Sequence, residues 1–170
     1  RDVVKDESAN LKDRKDALNF IIDNSKSKKE FLDILNEIAN SLSNTLVSLR
    51  LSSFGESQDA IGSDEYQFAY SSLYALEILT FSEYRDTGIS LLGYIFEEGY
   101  HFTDIEVKSM TLDRVMKIYK RAVKEEGLQQ YRGIQIDVLN IVIKATQSGP
   151  TYSNLYLSKL SEGLTDSSKV

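Results

Sequence analysis

Glu98 and His101 stand three residues apart in the stretch EEGYHFTD. At that spacing a carboxylate and an imidazole share one helix face and ligate iron in di-iron bundles. Such a centre needs a second E-x-x-H pair and two further inward glutamates. His101 is the only histidine, so no second pair exists, and Gly99 weakens the helix that would align the ligands. A Ser–His–Asp site would also depend on His101, and no G-x-S-x-G turn accompanies it. The ordinary reading of His101 is a surface or satisfied imidazole near a helix end.

The phosphate-cradling patterns G-x-x-x-x-G-K-[ST] and G-x-G-x-x-G are missing. Acidic pairs occur at Asp64-Glu65, Glu97-Glu98 and Glu125-Glu126. A Ca²⁺ loop needs oxygen ligands at spaced positions around a glycine. Asp64-Glu65 follows Gly62-Ser63 as an ordinary helix start would, and the other two pairs fall at helix ends. The expectation is a chain with no catalytic residue, no metal ligand and no cofactor. An enzyme using carboxylates alone is the most distant alternative.

Two patterns suit binding instead. Arg114, Lys117, Arg121 and Lys124 recur at intervals of three and four, with Lys120 beside them. On a helix they form a basic stripe opposite the apolar face, so the stripe is expected to point outward. It is either a solvated face, helped by cations near a helix C-terminus, or a docking strip for an acidic surface. Tyr66, Tyr70 and Tyr74 fall four apart within DEYQFAYSSLYALEILTF. Their rings can pack at the edge of the aliphatic face while the hydroxyls reach water. Tyr and Arg are also the types that protein interfaces favour as anchors.

Helices must position these groups. One proline and nine glycines leave few obligatory breaks. A first helix is expected from about residue 9 to 24, with Leu11, Leu18, Ile21 and Ile22 apolar. After SKSKK, Ser27 and Glu30 have capping-box spacing and open a helix with the seam Phe31, Leu35, Ile38, Leu42 and Leu49. Residues 52–63 are the longest expected loop. The tyrosine helix covers about 64–81 and a fourth helix about 82–98.

Thr103 and Glu106 form a second capping box before the helix that carries the basic stripe, whose apolar face is Ile105, Leu112, Val115, Tyr119 and Ala122. Residues 128–147 form the most apolar helix, through Ile134, Ile136, Val138, Leu139, Ile141, Val142, Ile143 and Ala145. It is therefore expected at the centre. Gly149-Pro150 stops it, and a short helix carrying Leu155, Leu157 and Leu160 follows. The fold expected is mainly α: one domain over residues 1–170, a bundle of about five to seven helices with no significant sheet. Residues 1–8 and 164–170 are expected as frayed tails.

With twenty basic and twenty-six acidic residues the net charge is −6, which argues against non-specific nucleic-acid binding. Without cysteine there is no disulfide and no thiolate metal site. The longest apolar run, VLNIVI at 138–143, is far short of a bilayer span and contains Asn140. The chain opens on Arg1 rather than Met, so a fragment is expected, with room upstream for a signal peptide and a lipidated cysteine.

The lack of Cys and Trp, the single Pro and helices of the KSKKEFLDILNEIANSL type resemble the ectodomains of Borrelia surface lipoproteins. The likeness is greatest to the helical outer-surface proteins that bind host complement proteases. It covers the whole chain as style, rests on no family motif and transfers no site residue. It implies a non-enzymatic, lipid-tethered binder on the bacterial surface, facing a host serum protease or matrix protein. The competing reading is an intracellular, cytoplasmic helical adaptor for partner helices or peptides.

Overall fold

The computed structural model describes residues 1–51, 62–97, 102–124 and 132–147, with 157, 158 and 161. Expectations for residues 52–61, Glu98, His101, Glu125-Glu126, Gly149-Pro150, Leu155, Leu160 and the tail from 164 lie outside them. Among the described residues the protein is mainly α, with seven helices and no strand. They are α1 Asp2–Lys5, α2 Leu11–Ser25, α3 Lys29–Ser48, α4 Asp64–Thr80, α5 Arg85–Tyr94, α6 Ile105–Lys124 and α7 Arg132–Thr146.

Local chemistry sets the helix starts. Asn10 caps α2 by accepting from the Lys12 N–H at 2.8 Å, and Ser63 caps α4 by accepting from Tyr66 at 3.1 Å. The two expected capping boxes do not form as such. The Ser27 hydroxyl turns back to the Asn24 carbonyl, and Lys28 opens α3 without a side-chain cap. At α6 the neighbouring Asp104 accepts from the Glu106 N–H at 2.9 Å in place of Thr103. A carboxylate reaching two residues forward is a stronger acceptor for a helix terminus than a hydroxyl.

The apolar seams pack as their period requires. Leu18 of α2, Leu35, Ile38 and Leu42 of α3 and Leu112 and Val115 of α6 are fully buried in one cluster. Residues 1–8 are not a frayed tail. They hold α1, with Val4 fully buried and its carbonyl accepting from Arg14 Nε at 2.9 Å. The Tyr84 hydroxyl donates to Asp33, tying the start of α5 to α3.

The central helix is α4, not α7. It touches α2, α3, α5 and α6, whereas α7 packs chiefly on α5 and α6 and leaves Ile136, Leu139 and Ile143 exposed. Small side chains explain the exchange. Ala69, Ser71, Ser72, Ala75 and Thr80 of α4 are all buried, so neighbours approach its axis from several sides. Two of the three hydroxyls are satisfied, Thr80 donating to the Leu76 carbonyl and Ser71 to Asn19, both at 2.7 Å, while Ser72 Oγ is buried without a hydrogen-bond partner. Gly88 of α5 completes the approach. A Cβ there would lie 2.5 Å from Thr80 Oγ1 and 2.7 Å from the Leu76 carbonyl oxygen.

Candidate protein-binding face

Helices α4 and α6 run side by side in the same direction. Arg114 meets Tyr70, Tyr74 and Glu77, while Arg121, two turns on, meets Glu77 and Phe81. This register brings the basic stripe and the tyrosine stripe together as one face.

Glu77 is its hinge point. Arg114 Nη1 donates to Glu77 Oε1 at 3.3 Å, and Arg121 Nη1 lies 3.5 Å from Oε2. One nearly buried carboxylate therefore serves two guanidinium groups that stand two turns apart on α6. The rings supply the remaining contacts. The Arg114 guanidinium carbon lies 5.0 Å from the Tyr70 centroid and 5.4 Å from that of Tyr74. Arg121 stacks 3.9 Å over Phe81, and the Lys117 ammonium lies 5.8 Å from Tyr70. A cation over an aromatic face is drawn to the ring's negative quadrupole.

The expected outward row of cations is corrected here. Arg114 is only 6% exposed, because the flank of α6 that carries it rests on α4. Lys120 is half-buried, whereas Lys117, Arg121 and Lys124 are exposed, so the outward row fails at Arg114 and in part at Lys120. Tyr66 and Tyr74 are half-buried at the edge of the core and Tyr70 is exposed, in keeping with rings packed at a boundary.

Sequence reasoning missed four contributors. Glu77 is one, and its signal was present: it is the only charge between Glu65 and Glu83, inside a largely apolar helix. A carboxylate there needs a cationic partner. Lys26 is another, delivered by the turn between α2 and α3 to 5.5 Å from the Tyr74 ring. Its interaction with the Tyr74 hydroxyl, helped by Asp23, holds the Lys26 ammonium above its ordinary value, against desolvation and the charge of Arg121. Met110 and Asp113 are the others. They join Tyr66, Tyr70, Leu73, Arg114 and Lys117 around a cleft of about 100 Å³ between α4 and α6.

Charge on this face runs against the chain as a whole. Lys26, Arg114, Lys117 and Arg121 gather there beside the carboxylates of Asp23, Glu77 and Asp113, on a protein of net charge −6. No group of three or more His, Cys, Asp or Glu is placed to hold a metal among the described residues. No described helix is long and apolar enough to cross a membrane. Comparisons with protein-family models, curated proteins and solved structures return no match.

Proposed function

We propose that this chain is a non-enzymatic protein-binding domain that uses the α4–α6 face. One observation carries the reading. Cations and aromatic rings are interleaved on one side of an otherwise acidic molecule, with the arginines pre-ordered by Glu77 and the rings. Groups fixed before binding lose little conformational freedom on docking, and Tyr and Arg bring large contact areas with directed polar ends. Lys117 and Lys124 are exposed and supply steering charge for an acidic partner surface.

The stylistic likeness to Borrelia surface lipoproteins supports placing the partner among host proteins, with classical complement proteases first. On that reading the domain is a lipid-anchored immune-evasion ectodomain on the bacterial outer surface. The experiment is capture from serum and, in parallel, from cell lysate, with this domain as bait. The expected result is a serum protease retained by the wild type and lost in the double variant Lys117→Gln, Lys124→Gln. Retention of a lysate helix or peptide alone points to the intracellular adaptor. Capture undiminished in the variant removes the face from the binding role.

A further inference from the structure

The cleft on the α4–α6 face has a composition that selects its occupant. Its floor is apolar, with Leu73 almost wholly buried and the flexible thioether of Met110 beside it. Tyr66 and Tyr70 line it together with the nearly buried Arg114 and the exposed Lys117. A volume of about 100 Å³ is on the scale of one side chain rather than of a helix.

Arg114 retains capacity for a further anion. Its guanidinium carries five N–H donors, of which one meets Glu77 Oε1 at 3.3 Å. Glu77 also pairs with Arg121 through its other oxygen. Lys117 adds a second positive charge at the mouth, whereas Asp113 is the single carboxylate of the lining. The lining thus combines apolar side chains with two cations and one carboxylate.

Resting on the binding function above, we propose that this cleft is a socket for one acidic side chain of the protein partner. The aliphatic stem of a glutamate lies along Leu73, Met110 and the Tyr70 ring, and its carboxylate meets Arg114 and Lys117. Aspartate, one methylene shorter, reaches less deeply. The socket thus reads both the charge and the length of the residue presented to it.

The two methionines make a direct test. Met110 lines the cleft, while Met116, at 7% exposure, is buried on the same helix and serves as the internal control. The full chain with ¹³C-methyl methionine is titrated with hexaglutamate, and separately with hexaglutamine and hexalysine. The Met110 methyl resonance is expected to shift saturably with hexaglutamate alone while Met116 stays in place. Lys117→Gln should weaken that response about tenfold, and raised salt should weaken it in the wild type.

A Met110 signal unmoved by hexaglutamate, or moved equally by hexaglutamine, overturns the socket. The broader reading is judged separately. If Met110 is silent yet partner capture still depends on Lys117 and Lys124, the face binds without an acidic-side-chain socket. If capture ignores both lysines, the face itself is not the binding surface.

Discussion

Arg14 and Arg114 are both nearly sealed from water, at 1% and 6% exposure, and both rest their guanidinium groups on rings of α4. Their partners differ. Arg14 lies 4.9 Å over Phe68, gives Nε to the Val4 carbonyl and leaves Nη2 without a hydrogen-bond partner. Burial pushes its guanidinium below the ordinary value, opposed by the more distant charges of Glu7 and Asp6. Arg114 instead has the Glu77 carboxylate and shares it with Arg121. One arginine fastens a short N-terminal helix through a carbonyl. The other belongs to an ionic junction that continues onto the surface. A buried cation by itself therefore indicates nothing about binding; what decides is whether its charge network reaches solvent.

Variants that remove one partner at a time sharpen this contrast. The largest effect is expected for Glu77→Ala, which strands Arg114 as an uncompensated buried charge. Urea denaturation should show a loss of about 3–5 kcal/mol, and a loss under about 1 kcal/mol would erase the distinction between the arginines. Arg114→Met comes next, at about 1–3 kcal/mol, because Glu77 keeps Arg121. Combining it with Glu77→Ala should recover part of the Glu77→Ala loss, read as a coupling energy in a double-mutant cycle.

Arg14→Met should matter less. Removing a charge whose nearest carboxylates, Glu7 and Asp6, lie beyond salt-bridge distance relieves its desolvation, while the bond to Val4 is lost, so net stability stays within about 1 kcal/mol. Faster amide exchange confined to α1 should accompany it. A large global loss would mean that Arg14 is better compensated than its contacts indicate. The smallest effect on folding is expected for Lys117→Gln, within about 0.5 kcal/mol by thermal melting. Arg121→Glu is not an equivalent probe, since it would place a second carboxylate beside Glu77.

The parts of the fold legible in the sequence were those that depend on period alone. The repeat of Leu35, Ile38 and Leu42 placed a buried helix face, and Gly62-Ser63 marked the start of α4. Centrality was not legible from bulk hydrophobicity. It favoured α7, whose Ile136, Leu139 and Ile143 face outward, over α4, whose alanines and serines admit close neighbours. The two binding stripes were each visible by helical spacing. Their junction was not, because it depends on the register of α6 along α4, a tertiary property. Glu77 was the one local clue to that register: an isolated carboxylate in an apolar helix, with arginines at matching intervals elsewhere in the chain.

The most direct measurement of the central claim is the affinity of the captured partner for wild type and for Lys117→Gln, Lys124→Gln, at low and raised salt. Both proteins should melt within about 1 kcal/mol of each other, because exposed charges contribute little to folding. With the α4–α6 face as the binding surface, the variant binds at least about tenfold more weakly, with slower association, and salt weakens the wild type far more than the variant. Equal affinities with no salt dependence in the wild type would contradict the account.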